Sequence, residues 1–276
     1  MSGERILLAG VMGHPVAHSR SPRLHGYWLR RLGLPGHYVP LDVAPENLRE
    51  VLACLPKAGF VGVNVTIPHK EAVLALADIV TDRAALIGAA NTLTFQADGR
   101  IRADNTDGHG FLENLRQTVP HWRAEDGPAV VLGAGGAARA VIVALRDAGA
   151  PEIVICNRTR VRAEQLCQEF DARLRVEDWA QAGNAIARAA TLVNTTSLGM
   201  AGQPDLPVAL DRLQPGTVVN DLVYTPLETR LLRIAAERGS IAVDGLGMLI
   251  HQAVPGFERW FGARPEVDAE TREVLL

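Results

Sequence analysis

Apolar positions along the chain recur in two α/β series. Arg5 to Val11 is a short, nearly continuous apolar run and predicts a first strand. In "SPRLHGYWLRRLG", Ser21 is placed as the N-cap, Pro22 suits the first helical turn and Gly33 suits the exit. Leu24, Tyr27, Trp28 and Leu32 give that helix an apolar face. "HYVPLDV" predicts a strand, and Leu48, Val51, Leu52 and Leu55 predict the helix after it. Such a βαβα opening predicts parallel pairing. In "NVTIPHK", Asn64 to Ile67 alternate polar and apolar, Pro68 forbids the ladder from continuing, and Lys70 stands just beyond the stop. "NTLTFQADGRIRADNTDG" reads as two strands around a turn at Asp98-Gly99.

From about residue 128 a second series begins. "PAVVLGAGGAARAVIVALRDAGA" is an apolar strand, a glycine turn and a helix, and "EIVICNRT" is the next strand. Strands near "ATLVNTT", "GTVVNDL" and "SIAVDG" follow, with helices between. The boundary falls near residues 107 to 127, where a helix is expected to cross from one domain to the other.

Composition narrows the class. A chain of 276 residues with 47% hydrophobic and 21% charged residues holds one large or two ordinary globular domains. A net charge of -3 argues against a nucleic-acid partner. Cys54, Cys156 and Cys167 form no CxxC pair and fit a reducing cytoplasm. "ILLAGVMG" is short and runs into "HPVAHS" without a cleavage pattern, so a strand is expected there rather than a signal segment. No apolar run approaches the roughly 18 residues of a membrane span, and a soluble cytoplasmic protein is expected. His14 and His18 flank Pro15, no HExxH or Cys/His cluster occurs, and no metal site is expected.

The glycine turn carries the first chemistry. Gly133 permits a tight turn, Gly135 lets backbone N–H groups approach a pyrophosphate, and Ala138 allows the helix to pack closely on the sheet. An NAD site would carry an acid about 20 positions on. Here the end of the next strand holds Asn157, followed by Arg158, Thr159, Arg160 and Arg162. Guanidinium groups match phosphate oxygens bidentately, so NADP is the expected cofactor.

The first domain supplies "AHSRS", "NVTIPHK", "AANT" and "DNTDG", each at an expected loop or strand end with uncharged hydrogen-bonding groups. Together they point to a polyhydroxylated small ligand. Lys70 and Asp107 are the ionisable members. A free lysine, with a pKa of about 10.4, begins protonated and can donate to a developing alkoxide, and a neighbouring carboxylate stabilises the ammonium.

"GHPVAHSRSP", "NVTIPHK", "GAANTL", "DNTDG", "GAGGAAR", "NRT", "NTTSLGM" and "DGLGMLIHQA" occur in this order across nearly the whole chain, which resembles the shikimate dehydrogenase family. The resemblance implies NADPH-dependent reduction of 3-dehydroshikimate to shikimate, toward chorismate and the aromatic amino acids. It implies an α/β fold of two domains. Residues 1–107, completed by 247–276, would form a substrate domain with a mixed sheet, and 108–246 a Rossmann-like, doubly wound NADP domain with a parallel sheet.

By the same resemblance, Lys70 is the catalytic acid/base and Asp107 its partner. Ser19 and Ser21, with Tyr224, would hold the substrate carboxylate, and Asn64, Thr66, Asn91, Asp107 and Gln252 its ring hydroxyls. Gly133, Ala134, Gly135, Gly136 and Ala137 would bind pyrophosphate. Asn157, Arg158, Thr159 and Arg162 would bind the 2′-phosphate, and Leu222, Gly245 and Met248 would line the nicotinamide side. Asp82 falls at a cofactor-side position without a physical reason of its own. His69 stands where relatives often have an aromatic ring. A monomer or homodimer acting on a small molecule is expected. The alternatives are a quinate/shikimate dehydrogenase using NAD, against which the arginines argue, and a nucleotide-sensing regulator without catalysis, against which Lys70 and Asp107 argue.

Overall fold

The computed structural model describes residues 6–170 and 173–276. Arg5, placed at the start of the first expected strand, lies outside them. The chain divides into two compact units, Met1–Gly110 with Leu249–Leu276, and Phe111–Met248.

The first unit opens with β1 (Leu7–Gly13), α1 (Ser21–Arg31), β2 (Gly36–Asp42), α2 (Leu48–Cys54) and β3 (Phe60–Val65). Then come β4 (Ile79–Val80), α3 (Asp82–Ile87), β5 (Thr92–Phe95), β6 (Ile101–Asp104) and the start of α4 (Asp107–Thr118). The sheet runs β2-β1-β3-β5-β6-β4. β1 lies parallel to β2 and β3, and the β5–β6 hairpin turns the sheet mixed by pairing antiparallel with β3. The period of two along β3 separates its faces. Val63 and Val65 enter an apolar cluster with Met12, Leu52 and Leu93, while Asn64 is buried among polar groups on the other face.

Three local expectations change. Ser21 is the first helical residue of α1 rather than its N-cap, because Arg20 already has helical backbone angles and no side chain caps the end. Leu32 is 39% exposed as the C-cap, and Leu29 takes its place on the buried face. The ladder of β3 is assigned only to Val65, although the Thr66 N–H still donates to Met12 at 2.9 Å and Ile67 accepts from His14 at 3.0 Å. Gly33 does end the helix, with φ of 64°.

The second unit contains β7 (Ala129–Leu132), α5 (Gly136–Asp147), β8 (Ile153–Asn157), α6 (Arg160–Glu169) and β9 (Leu174–Asp178). α7 (Ala182–Ile186), β10 (Thr191–Asn194), β11 (Val218–Asp221), α8 (Arg230–Glu237) and β12 (Ile241–Val243) follow. Its sheet runs β12-β11-β10-β7-β8-β9 with every pair parallel, the doubly wound order with its switch point between β7 and β10. Both faces are covered. Ala129 and Val131 pack with α5 on one side, while Val130 and Leu132 pack with Ala185, Leu231 and Leu232 on the other.

α9 (Leu246–Phe261) begins in the second unit and continues in the first, followed by α10 (Ala269–Glu273). Within the first unit, a Cβ on Gly62 would stand 1.9 Å from the Trp260 Nε1, so only glycine lets this indole lie against β3. Trp260 then donates to the Leu93 carbonyl at 3.0 Å, and Arg259 pairs with Asp104 at 2.5 Å. These contacts fix the helix segment that carries Gln252.

Candidate functional site

Lys70 is placed through its backbone. The buried His69 ring donates from Nε2 to the Val43 carbonyl at 2.7 Å, and the His69 N–H closes a turn onto Thr66 at 3.0 Å. The Lys70 carbonyl accepts from Ala90 at 2.7 Å. Its Nζ donates to Asp107 Oδ2 at 2.5 Å, with side chains only 16% and 5% exposed. Asp107 is the first residue of α4, where the macrodipole favours a carboxylate. Its N–H donates to Asn105 Oδ1 at 3.0 Å, and its Oδ1 accepts from Asn91 Nδ2 at 2.8 Å.

Asn91 is the hub of the surrounding network. Its amide nitrogen also faces Thr106 Oγ1 at 2.9 Å and Gln252 Oε1 at 3.0 Å, and its Oδ1 accepts from the Thr106 N–H at 2.8 Å and from Thr92 at 2.9 Å. Thr106 donates in turn to the Gln252 carbonyl at 2.8 Å. The structure thus brings Lys70, Asp107, Asn91 and Gln252 into one hydrogen-bonded group, with Asn64 joined to it through the Asn91 carbonyl at 3.1 Å. Thr66 packs its methyl against Gly13 and its hydroxyl has no partner among the described residues. Ser19 Oγ accepts from the Ser21 N–H at 3.3 Å. Thr92, Asn105 and Thr106 fall within the "AANT" and "DNTDG" motifs without a role of their own in the sequence reading, and Tyr38 falls outside every motif; the Thr106–Gln252 bond spans 146 residues and the Tyr38–Asn64 bond 26, so no local pattern gives these partners.

Asp104 ends β6 beside this group. Burial raises its carboxyl, but bonds from Thr81, Arg259 and the Asn105 N–H hold it below the ordinary range. Asp82 begins α3 behind the Thr81 cap in the first unit, and nothing there gives it a cofactor role. The remaining expected cofactor residues all belong to the second unit, as does Tyr224 on the segment between β11 and α8.

In the second unit, Gly133 has φ of 116°, and a Cβ there would meet Thr195 Oγ1 at 2.4 Å. At Gly135 an added Cβ meets nothing within 4 Å. Gly135 precedes α5 and no side chain caps that helix, so the N–H groups of Gly136 and Ala137 are presented at an open turn with Ala134. Asn157 Nδ2 donates to the Thr159 carbonyl at 2.8 Å and closes the turn before α6. Arg158 and Arg162 are exposed and form no ion pair among the described residues. Arg160 differs from them: Asp178 holds it at 2.5 Å and Glu164 at 2.7 Å. The β8–β9 register sets Asp178 opposite Asn157, so the nearby acid comes from the next strand.

At the end of β11, a Cβ on Gly245 would meet the Leu222 carbonyl at 2.3 Å, which fixes glycine by close approach. Met248 is buried in the apolar cluster against which Leu222 also packs. Asp221, which the sequence reading passed over, accepts from Asn194 at 2.9 Å, the Val223 N–H at 3.0 Å and Thr229 at 2.7 Å. Burial pushes its carboxyl up to about 6 in spite of those three donors. Among the described residues, no group of His, Cys, Asp or Glu could hold a metal, and no helix is long and apolar enough to cross a membrane.

An open glycine turn at the switch point of the second unit, with an amine–carboxylate pair in the first, defines the class of dinucleotide-dependent oxidoreductases. A family model described as the shikimate dehydrogenase substrate binding domain matches residues 11–93. Models described as shikimate / quinate 5-dehydrogenase and as the shikimate 5'-dehydrogenase C-terminal domain match 115–200 and 245–275. The chain is 66% identical over 272 residues to a shikimate dehydrogenase (NADP(+)) of Cereibacter sphaeroides, covering 99% of this chain and 98% of that one. It is similar to the solved shikimate 5-dehydrogenase of Thermus thermophilus in complex with NADP(H) and shikimate, with a TM-score of 0.87, 41% identity and 98% of each chain covered. A quinate dehydrogenase from Corynebacterium glutamicum in complex with NAD gives a TM-score of 0.89, 31% identity and 98% coverage of each chain. The chain belongs to the shikimate dehydrogenase family.

Proposed function

We propose that the chain catalyses the reversible NADPH-dependent reduction of 3-dehydroshikimate to shikimate. The observation that carries this reading is the Lys70–Asp107 pair, held at 2.5 Å and largely shielded from water, in a chain of this family. The first unit is the substrate domain. Ser19 and Ser21 hold the carboxylate, and Asn64, Thr66, Asn91, Asp107 and Gln252 meet the ring hydroxyls. Lys70 Nζ gives one proton to the carbonyl oxygen as the carbon is reduced, so that oxygen becomes a hydroxyl and the lysine a neutral amine. The amine then recovers a proton from water. Asp107 keeps Nζ aimed at that carbonyl oxygen.

The second unit is the NADP domain, and its residues fit the group. The open N-terminus of α5 leaves room for a pyrophosphate against Gly133 to Ala137. Arg158 and Arg162, without an ion pair among the described residues, offer exposed guanidinium groups for the 2′-phosphate. Asn157 and Thr159 shape that turn, and Leu222, Gly245 and Met248 form the nicotinamide side. NADPH, when bound, supplies the hydride. The reading takes the protein as cytoplasmic, acting on a small molecule without nucleic acid, as a monomer or homodimer.

The test is to follow NADPH oxidation with 3-dehydroshikimate beside NAD-linked oxidation of quinate. Rapid turnover in the first assay and little in the second is expected. Turnover confined to quinate and NAD would replace the substrate and cofactor assigned here, and inactivity in both would favour a nucleotide-sensing role.

A further inference from the structure

Tyr38 has no part in the reading above, yet it is bonded to one of the side chains to which that reading gives the substrate. Its phenol donates to Asn64 Oδ1 at 2.7 Å. The ring sits on β2 opposite Ala9 of β1, and Ala9 pairs on its other side with Gly62 of β3, two residues before Asn64. Tyr38 therefore reaches across the small Ala9 on the middle strand to meet Asn64 on the third.

The ring has little freedom. The His25 imidazole stacks on it at 3.8 Å and 6°, and Trp260 lies 6.2 Å away. His25 is fully buried, and neither of its nitrogens has a partner among the described residues. It behaves as a flat aromatic plate against the phenol. Burial pushes its pKa down to about 3, so it remains uncharged over the working range. His25 belongs to α1, so that helix supplies the plate against the phenol.

The consequence lies in the orientation of Asn64. Its Nδ2 donates to the Asn91 carbonyl at 3.1 Å and to Thr92 Oγ1 at 3.3 Å, which occupies both hydrogens. Oδ1 takes the Tyr38 hydroxyl and keeps one lone pair. The amide can then offer a ligand only an acceptor, and the matching ligand group is a hydroxyl that donates. We propose that Tyr38 is a positioning residue for substrate recognition, whose phenol fixes Asn64 as an acceptor. Without the phenol O–H, Oδ1 loses its buried donor, and the amide is free to turn its N–H₂ toward the ligand. This rests on the assignment of Asn64 to substrate made above.

Tyr38→Phe keeps the ring and its stacking and removes only the O–H. Steady-state kinetics with shikimate and NADP+ should show the KM for shikimate raised about tenfold, the size of one lost buried hydrogen bond. The kcat should stay within about threefold and the KM for NADP+ should not change. An unchanged KM for NADP+ also reports that the variant is folded. The decisive readout is the Tyr38→Phe/Asn64→Ala double variant. If Tyr38 acts through Asn64, adding Tyr38→Phe to Asn64→Ala raises the shikimate KM no further, whereas a merely structural effect would multiply through both backgrounds. An unaltered shikimate KM in Tyr38→Phe, or multiplying effects in the double variant, would overturn the proposal. A wild-type chain that does not oxidise shikimate would overturn the functional reading itself.

Discussion

Lys70 is held by its neighbours' backbone groups, so replacing its side chain need not disturb the turn that carries it. Lys70→Met keeps the length and removes the ammonium. Turnover should fall about 10²–10⁴-fold, the usual size of an acid/base contribution, with a much smaller change in shikimate affinity. The variant also leaves the buried Asp107 carboxylate without its cation, which should lower stability by roughly 1–3 kcal/mol. Adding Asp107→Asn should restore part of that stability but none of the turnover. Recovery of turnover in the double variant, or near-normal turnover in Lys70→Met, would remove the lysine from proton transfer. Asp221 makes a different prediction, one of stability against pH. Its folded value of about 6 lies above the ordinary 3.8, so folding favours the protonated form. Its contribution is fully present below about pH 4 and is lost as the pH rises through about 6. Asn can accept from Asn194 and Val223 and donate to Thr229, so Asp221→Asn should fold and remove this dependence. Denaturant unfolding at several pH values should show the variant gaining on the wild type between about pH 4 and 7. A constant difference across that range would mean that Asp221 does not titrate there.

At the level of elements, the run of cations at the start of α6 separates into two kinds. Among the described residues Arg158 and Arg162 are unpaired, while Asp178 and Glu164 engage Arg160. Arg158→Ala should therefore remove most of the preference for NADP over NAD and leave the KM for NAD nearly unchanged, and Arg160→Ala should alter the preference much less. Equal losses with both cofactors would show that Arg158 does not read the 2′-phosphate. Glu164 stands four residues after Arg160 in the sequence, but the second partner was invisible there, because Asp178 comes from β9, an edge strand with a single buried position and no apolar run to announce it. β4 escaped for a related reason, being two residues long and half-buried. The strands of the second unit were legible because its central ones are buried on both faces and read as continuous apolar runs, while their doubly wound arrangement was an expectation from the family resemblance. Individual motifs placed Lys70, Asp107, Asn91 and Gln252, but they could not show that these four join in one network. That joining depends on contacts such as Trp260 against Gly62, between residues far apart in the chain.

For the whole molecule, the two proposed ligands should leave separate marks on amide hydrogen exchange. A ligand at about 100 times its Kd stabilises the state it binds by about 2.7 kcal/mol, so exchange that requires local opening of its contacts should slow by about a hundredfold. NADP+ alone should slow exchange in the turn from Gly133 to Ala137, at the open end of α5, and over residues 157–162. Shikimate alone should slow residues 64–70 and 104–107, where the Asn91 hub already links the backbone to side chains. Asp82 and Tyr224 make the map discriminating, since each belongs to the unit opposite to most residues assigned to the same ligand. Protection of residues 222–229 by shikimate alone would support a substrate role for Tyr224. Protection near Asp82 by NADP+ alone would give that residue a cofactor role for which its surroundings at the start of α3 offer no reason. If NADP+ leaves the glycine turn unprotected while protecting other segments, the second unit does not bind the cofactor as assigned. If shikimate leaves residues 64–70 unprotected at saturation, Lys70 is not at its reacting oxygen.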